Sequence, residues 1–537
     1  MSQKTQVYAV RMLCACLLVP LVFVAAQAQT PPAVPVKTGS DAASSLPLPT
    51  PYDYRNPPPG VFDDEWMEIF MAGQKIGYAH NIFRREGDQI FSQQNEVFRM
   101  GRLGSVLEMS GEIQGVETLD GSARTFNSTM QMASQPTVVQ GSGDGKIFDI
   151  TTQTNNFKQQ KQVTFPENTF LPWGAERLSR MKGLVPGTTY DYLSYDPSQD
   201  AFQPLPTKIT IGAKEKIKVH GVEVEATRVV THLGTAGGGA GGIDTIAWVD
   251  DENRAIRATV PMGGLTMNMD IATKEQALGD YAAKDIFSGS LIPLNHTIPA
   301  NAASVTFLLR RDDGQALPAP PESLSEHSEV LPDGSVRMTL TRPGAEAAAL
   351  STPLKDLTPY LERNSFLDTS DPLLRRLAAQ GGGPPETNPM VVARLLRTFV
   401  ANYINQKDLS VGFATASEAA QSREGDCTEH AVLLAALGRI RNLPARVVSG
   451  LVYLPSYEGQ SNILGFHMWT QFYFNGQWVT FDSALTDGNQ PYWRLGLVAT
   501  DLNEVSLSDF TMQLMSWMSG LKITVGDVTT VAPTASH

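Results

Sequence analysis

A capped helix followed by a β-hairpin, between residues 425 and 482, is the feature that most restricts how this chain can fold. The segment 425–443 reads GDCTEHAVLLAALGRIRNL, in which Asp426 suits the helix N-cap and Glu429 is its capping-box partner three residues later. Further along, Asn475-Gly476 is a strong two-residue turn signal between the strand-like segments HMWTQFYF and QWVTFD. The pattern predicts a helix that begins at or just before the cysteine, close in the chain to a two-stranded hairpin.

The two-residue turn predicts which residues of the hairpin face each other. Counting outward from the turn puts Asp482 opposite Trp469. Because His467 is two residues from Trp469, His467 and Asp482 share one face as diagonal neighbours, roughly 5 to 8 Å apart. A hydrogen bond between them is geometrically accessible. We expect a helix packed on that face to bring Cys427 into range.

The N-terminus has the three-part pattern of a cleaved secretory signal over residues 1–28. It contains Lys4 and Arg11, then an apolar run from Met12 to Ala26, then a small-residue cleavage pattern that ends at residue 28. A retained membrane anchor needs about 20 apolar residues, whereas this run is shorter and contains a proline. We therefore expect an exported protein, periplasmic or secreted, that starts near Gln29 and has no membrane span after cleavage.

Signal cleavage removes Cys14 and Cys16, so Cys427 is the one cysteine of the mature chain. The mature protein can form no internal disulfide, and zinc sites built on cysteine pairs are excluded. The histidines have no metal-ligand spacing, and we expect no metal and no organic cofactor. The net charge of −13 gives no support to nucleic-acid binding, which normally requires a basic face.

The chain is too long for a single core, because hydrophobic cores stop growing at about 250 to 300 residues. We predict an α+β protein with a helix-on-antiparallel-sheet core near the C-terminus. The predicted divisions are a signal (1–28), a Pro-rich linker (29–60), a β-rich antiparallel sheet or open barrel (61–280), a small sandwich-like β domain (285–355), a catalytic domain (356–500) and a C-terminal extension (501–537).

Two local patterns within these divisions have specific interpretations. The glycine run over 237–242 is followed by neither Lys-Ser nor Lys-Thr and by no helix, so we interpret it as a hairpin connection rather than a phosphate-binding loop. Asn388 as cap and Pro389 at the first helical position predict a helix that runs to about Ile404.

Cys427, His467 and Asp482 are the residue types of a nucleophile, a base and an orienting group. A helix N-terminus stabilises an anion, so a thiolate at Cys427 is favoured there. The imidazole takes the thiol proton, and the carboxylate fixes the imidazole tautomer. Three simpler interpretations remain: an inert buried thiol, a structural histidine, and an aspartate that ends a strand.

Four further residues have expected supporting or structural roles. His430, one turn after the cysteine, is a competing base, but we expect it to pack beside the nucleophile. Gln421 is a candidate second oxyanion donor besides the Cys427 amide, although a surface glutamine is the simpler interpretation. Trp469 and Trp478 are expected to pack the hairpin, with Trp469 near enough to His467 to wall the site.

The strings GDCTEHAVLLAALGRIRNLPARVVSGLVY and FHMWTQFYFNGQWVTFDSA resemble the bacterial transglutaminase-like domains, which belong to the papain-like cysteine enzyme class. The resemblance covers roughly residues 390 to 500 and implies catalytic roles for Cys427, His467 and Asp482. It does not specify a reaction, because such domains include acyltransferases, proteases, deamidases and inactive scaffolds.

These observations predict a thiol enzyme that attacks a carboxamide or peptide carbonyl through a thioester, which water or an amine then resolves. Export suggests protein or peptide substrates, including envelope-associated ones. The alternative is a noncatalytic envelope adaptor or assembly protein in which the fold serves as a binding surface. The sequence leaves the substrate and the oligomeric state open.

Overall fold

The computed structural model describes residues 46–530 apart from short gaps. The gaps are 72, 103–104, 132–134, 235–241, 263–264, 282–290, 313, 343–353, 386, 407–412, 458, 486–492, 504–509, 511–512, 515–516 and 518–519. The predicted signal, the first half of the linker and most of the glycine run lie outside the described residues. Within the described part, no helix has the length and apolarity needed to cross a membrane.

The first unit is one antiparallel sheet of 15 strands, apart from a short parallel pair at one edge. Its first strand pairs on one side with the second and on the other side with the fifteenth, so the two halves of the sheet meet along that strand. The strands are Gly60–Met71, Gln74–Glu86, Gln89–Arg102, Ser105–Thr118, Ala123–Gln131, Thr137–Gly143, Ile147–Thr154, Phe157–Thr164, Thr169–Phe170, Thr189–Ser194, Leu205–Val219, Val222–Gly234, Gly242–Val249, Ala255–Met262 and Leu265–Ala272, named β1 to β15.

Helix α1, Pro172–Lys182, packs against this sheet and is capped by a residue distant in sequence. Its N-cap residue, Leu171, offers no side-chain acceptor. The buried carboxylate of Glu117 instead accepts hydrogen bonds from the amides of Trp173 and Gly174, both at 2.8 Å. Glu117 thus attaches the helix to the sheet. The short helix α2, Lys274–Ala277, follows β15.

A four-stranded sheet forms the second unit, and the end of the chain completes it. Its strands are Ala302–Arg311 (β17), Glu326–Val330 (β18), Val336–Thr341 (β19) and Leu521–Thr530 (β24), in the order β18-β19-β17-β24. The predicted small β domain therefore takes its fourth strand from the predicted C-terminal extension. Leu521, Ile523 and Val525 alternate with polar or small residues, and this period-two pattern is the sequence signal for that strand.

The third unit combines helices with a five-stranded sheet. A 3₁₀ helix (Thr358–Tyr360) precedes helices Pro372–Gly381, Pro389–Tyr403, Ala416–Ser422 and Cys427–Ile440, named α3 to α6. The strands are Ile292–Pro293 (β16), Ala445–Tyr457 (β20), Gln460–Phe474 (β21), Gln477–Phe481 (β22) and Arg494–Thr500 (β23), with β21 central. The predicted α+β class, with a cysteine-bearing helix against an antiparallel sheet, is confirmed.

Local signals for two of these helices are confirmed in detail. Helix α4 begins at Pro389, its Asn388 cap accepts a hydrogen bond from the Met390 amide, and its C-cap is Ile404. Helix α6 is buried on all sides from Cys427 to Arg439. A helix that is buried around its whole circumference lies at the centre of a core, and α6 has this position.

The three units pack against one another through both apolar and polar contacts. One continuous apolar core includes residues of β1, β17 and α6. Between the first and third units, Glu418 on α5 accepts a hydrogen bond from the Gln135 amide at 2.8 Å. Between the second and third units, Glu326 on β18 accepts a hydrogen bond from the Gly496 amide at 2.6 Å. Both β-rich units therefore contact the unit that carries the candidate site.

Candidate active site

The candidate nucleophile, Cys427, is the first residue of α6 and follows a complete capping box. The Asp426 carboxylate accepts a hydrogen bond from the Thr428 amide at 2.9 Å, and the Glu429 carboxylate accepts one from the Asp426 amide at 2.9 Å. The predicted capping box is therefore confirmed. It holds the thiol at the positive end of the helix dipole, where an anion is stabilised.

The same glutamate also determines how the chain approaches the helix. The second oxygen of Glu429 accepts a hydrogen bond from the Ala414 amide at 3.1 Å, which attaches the segment before α5 to the cap. Gly425 has a φ of +147°, and a Cβ there would lie 2.4 Å from the Cβ of Glu429. Only glycine allows the backbone to pass this close, so Gly425 is required for the cap.

The hairpin has the register predicted from its turn. Phe474 pairs with Gln477, and the pairing continues as far as Thr470 with Phe481. One further step in this register places Asp482 opposite Trp469, and His467, two residues from Trp469, contacts Asp482 with 2.7 Å between the imidazole Nε2 and the carboxylate Oδ2. The predicted proximity of these two side chains is therefore confirmed.

Asp482 accepts hydrogen bonds at both carboxylate oxygens. Oδ2 accepts from His467 and also from the Nε of Arg494 at 2.8 Å, while Oδ1 accepts from the amides of Ala484 and Leu485, each at 2.9 Å. The backbone oxygen of Asp482 accepts from Arg397 on α4 at 2.8 Å. The carboxylate is thus held in a single orientation toward the imidazole.

Arg494 is a site residue that the sequence analysis missed. It begins β23, which pairs with β20 rather than with the strands that carry His467 and Asp482. Its guanidinium reaches Asp482 because the chain turns back after β22, and no local spacing rule encodes that return. A single arginine at the start of a buried strand is a weak signal that the sequence does contain.

Electrostatics at the site favour a charged imidazole. Burial by itself lowers the pKa of His467, but the charge and hydrogen bond of Asp482, together with the adjacent Cys427, outweigh burial and raise the pKa to about 9. Burial by itself raises the pKa of Asp482, because it disfavours the charged carboxylate. The charges of His467 and Arg494 outweigh burial and hold the pKa of Asp482 well below the usual range. At neutral pH the site therefore favours an imidazolium beside the thiol.

One ring nitrogen of His467 is not occupied by Asp482 and is available to Cys427. Nε2 of His467 is bound to Asp482, and Nδ1 has no hydrogen-bond partner of its own within the described part of the chain, so Nδ1 is the nitrogen that the thiol would use. The cysteine is close enough to contribute to the raised imidazole pKa. The tertiary structure thus brings the three predicted residues together.

The body of α6 does not pack on the face of β21 that was expected. The Thr470 hydroxyl donates to the Ala431 carbonyl on α6 at 2.8 Å, and Phe472 lies against Gly438 of the same helix. Successive side chains of a strand point to opposite faces, so Thr470 and Phe472 lie on the face opposite to that of His467. The helix therefore covers the face that does not carry His467. Cys427 therefore meets the imidazole because it is at the end of the helix, not because the helix lies over His467.

The residues with expected supporting roles occupy distinct positions. His430 is buried, and its Nδ1 lies 3.3 Å from the hydroxyl of Ser483, so it links α6 to the segment after Asp482. Trp469 is buried beside His467, with the two rings nearly parallel and 5.9 Å between centroids. Trp478 packs within the hairpin against Tyr473.

Gln421 is a surface residue. It is exposed near the end of α5, whereas Cys427 is fully buried. The structure thus favours the simpler interpretation of a surface glutamine and leaves the Cys427 amide as the candidate oxyanion donor.

We expect Arg494→Gln to lower the free energy of unfolding by about 2 kcal/mol at pH 7, because a buried carboxylate loses a charged donor. A carboxyl whose folded-state pKa is depressed stabilises the fold above its unfolded pKa of about 3.9, and this stabilisation is lost as the pH falls through the folded value. The difference between variant and wild type should therefore be the same at pH 5 and pH 7 and shrink only below about pH 4.

Urea unfolding at several pH values measures this difference, with Arg394→Gln on the exposed surface of α4 as the matched control. Equal stability of the Arg494 variant and the wild type at pH 7 would contradict the role assigned to this arginine.

Residues 377–483 match the model of the transglutaminase-like superfamily, and this segment contains Cys427, His467 and Asp482. No curated protein matches the chain at a significant level. The chain therefore contains a transglutaminase-like region.

Among solved structures, the chain is similar to a β-barrel-like protein of the DUF1849 domain from Brucella abortus (11% identity, 39% of this chain, 94% of that chain, TM-score 0.32). It is also similar to a candidate cysteine protease from Cytophaga hutchinsonii (16%, 44%, 88%, TM-score 0.25). A third similarity is to the periplasmic domain of TgpA from Pseudomonas aeruginosa bound to ethylmercury (14%, 36%, 88%, TM-score 0.23).

Proposed function

We propose that this protein is an exported cysteine enzyme that cleaves or exchanges carboxamide or peptide bonds through a thioester on Cys427. The observation that carries the proposal is the 2.7 Å contact between His467 and Asp482 beside a cysteine at a capped helix N-terminus. The match of this segment to the transglutaminase-like superfamily supports it. Each of the three residues has a role that its position allows.

In the first step, His467 holds the thiol proton and the Cys427 sulfur attacks the substrate carbonyl carbon, forming a C–S bond. The carbonyl oxygen becomes an oxyanion, for which we assign the Cys427 amide as donor. The capping box already engages the amides of Asp426, Thr428 and Glu429. The C–N bond then breaks, and the imidazolium gives its proton to the leaving nitrogen.

In the second step, water or an amine attacks the thioester, His467 accepts the proton of the attacking group, and the thiolate leaves. Water gives hydrolysis and an amine gives a new amide bond. Asp482 holds the imidazole with one nitrogen toward the sulfur throughout, and Arg494 keeps Asp482 ionised. We propose protein or peptide substrates, including envelope-associated ones, because the N-terminus has the pattern of an export signal.

Alkylation of Cys427 by iodoacetamide from pH 4 to 9 tests this proposal. The mature protein should be labelled about a hundredfold faster at pH 6 than its His467→Ala variant, because an ordinary thiol with a pKa of about 8.5 is almost wholly protonated there. The folded-state pKa of His467 is raised to about 9, so its ion pair with Asp482 is fully present below about pH 6.5. The ion pair is lost as the pH rises through about 9. Fast labelling should therefore persist across the neutral range.

Mass spectrometry follows the labelling, and Cys427→Ala supplies the background. A rate that rises only near pH 8.5 and is unchanged in the His467→Ala variant would contradict an activated nucleophile.

A second candidate function, a noncatalytic envelope adaptor, is favoured by one observation. Cys427 and His467 are both 0% exposed, so this conformation offers a substrate no direct access to the thiol. An adaptor needs no access and predicts slow labelling with an ordinary pH profile. The enzyme proposal predicts the low-pH labelling described above, so the same experiment separates the two.

A further inference from the structure

A cavity of about 420 Å³ lies within the 15-stranded sheet, apart from the cysteine site. Residues of β1–β4 line one side, residues of β10–β14 line the other, and α1 borders it. Volumes of about 300 to 1,000 Å³ are typical of small-molecule sites. We call this space the sheet cavity.

One wall of the sheet cavity is acidic and polar. Glu65 on β1 pairs in register with Asn81 on β2, and Asn81 pairs with Gln94 on β3, so the three side chains form one row across adjacent strands. The Asn81 amide donates to the Glu65 carboxylate at 3.3 Å. Asp63, two residues before Glu65, lies on the same face and also lines the cavity.

The opposite wall is mainly aromatic and aliphatic. Tyr190 on β10 pairs in register with Ile209 on β11, and both line the cavity. On the next strands Val229 pairs with Ala247, and these residues extend the same apolar surface. Tyr192, two residues after Tyr190, adds a second aromatic ring. The cavity is therefore amphipathic, with Asp63 and Glu65 on one side and a mainly apolar surface on the other.

The charges that line the cavity do not balance. Four acidic residues face two arginines in the lining, namely Asp63, Glu65, Glu176 and Asp196 against Arg180 and Arg254. Arg180 is bound to Glu176 on its own helix, and Arg254 is bound to Asp250 outside the cavity, with 2.7 Å between its Nε and the carboxylate. Neither arginine has its salt bridge with Asp63 or Glu65, although the charge of Arg180 acts on both and lowers their pKa values.

The surroundings of Asp63 and Glu65 disfavour the ionised forms of both side chains, which is a cost in free energy. Burial, followed by the charge of Asp63, raises the pKa of Glu65 to about 8. Burial, followed by the charge of Glu176, raises the pKa of Asp63 to about 6. A cation placed between these carboxylates would remove that cost, because an opposite charge nearby favours the ionised form.

We infer that the sheet cavity binds a small organic amine, with its ammonium group at Asp63 and Glu65 and its apolar body against Tyr190, Ile209 and Val229. An amine satisfies both walls at once: its charge meets the carboxylates and its hydrocarbon part displaces water from the apolar side. A carboxylate or phosphate ligand gains no such contact and is repelled by the ionised Asp63. This inference does not depend on the chemistry proposed for Cys427.

Isothermal titration calorimetry with the mature full-length chain tests the inference with two matched probes, 2-phenylethylamine and 2-phenylethanol. The two molecules have the same apolar body and differ in carrying an ammonium or a hydroxyl group. We expect the amine to bind about tenfold more tightly than the alcohol, which corresponds to about 1.4 kcal/mol. Glu65→Gln and Asp63→Asn should each weaken the amine about tenfold and leave the alcohol unchanged.

Asp64→Asn is the matched control, because Asp64 neighbours both acids but bonds to His80 on the opposite side of the strand and is 55% exposed. It should bind the amine as the wild type does. The inference is overturned if neither probe binds, if both bind equally, or if a folded Glu65→Gln variant retains wild-type affinity. Thermal melting identifies folded variants, and Asp63→Asn decides the question if Glu65→Gln does not fold.

Discussion

Asp482→Asn is expected to reduce acylation of Cys427 by about 10³-fold or more, although the side chain keeps its size. The amides of Ala484 and Leu485 require an acceptor, so the amide oxygen of the asparagine would turn toward them. Its NH₂ group would then face both the imidazole of His467 and the Nε–H of Arg494, which are donors to the carboxylate in the wild type.

This reversal has two consequences at the imidazole. The imidazolium loses the charge that stabilises it, so His467 no longer holds the thiol proton at neutral pH. An NH₂ group that faces the ring also favours the tautomer with a proton on Nδ1, and that nitrogen then cannot accept the proton of Cys427. The loss therefore falls on the chemical step rather than on folding alone.

The measurement is single-turnover acylation by p-nitrophenyl acetate, followed by nitrophenolate release and by the mass of the acylated protein. Asp251→Asn is the matched control, because its side chain is 71% exposed on the first unit. An Asp482 variant that is acylated within tenfold of the wild-type rate would show that the carboxylate does not direct the histidine.

Arg439→Leu is expected to lower the free energy of unfolding by about 3 to 5 kcal/mol, the largest stability effect that we predict. Arg439 lies in the last turn of α6 and is 3% exposed. Its guanidinium donates to the carbonyl oxygens of Glu362, Ala445 and Asp501, at 2.6, 2.9 and 2.8 Å respectively. Leucine fills much of the apolar volume but leaves these carbonyl oxygens without their donor.

Burial lowers the pKa of Arg439 to about 10, so the side chain still carries its charge at neutral pH. Chemical unfolding followed by tryptophan fluorescence measures the loss, and Arg376→Leu on the exposed face of α3 is the control. If the Arg439 variant is as stable as that control, the three hydrogen bonds do not hold α6 to the sheet.

Local patterns in the sequence were sufficient to predict the parts of the site that neighbouring residues control. The capping box of Asp426 and Glu429 depends on two side chains three residues apart. The register that brings His467 to Asp482 depends on the length of one turn. Helix α4 begins at the predicted proline because its cap and first turn are adjacent in the chain. The sequence of residues 377–483 also matches the model of the transglutaminase-like superfamily.

Contacts between distant segments could not be predicted in this way. Arg494 reaches Asp482 only after the chain has left the hairpin and returned beside β20. Strand β24 joins β17 across more than 200 residues, so the predicted small β domain is completed by the chain end. The sheet cavity likewise exists only because β1 joins the two halves of one sheet.

The sequence by itself therefore determined the cap, the hairpin register and the identity of the three candidate catalytic residues, because hydrogen bonds within a turn or a cap depend on spacing along the chain. The tertiary structure decided which face α6 covers, which arginine holds Asp482, and that Cys427 is fully buried. These features depend on how apolar faces from separate segments pack together, and that packing is set by shape and by total burial rather than by local spacing.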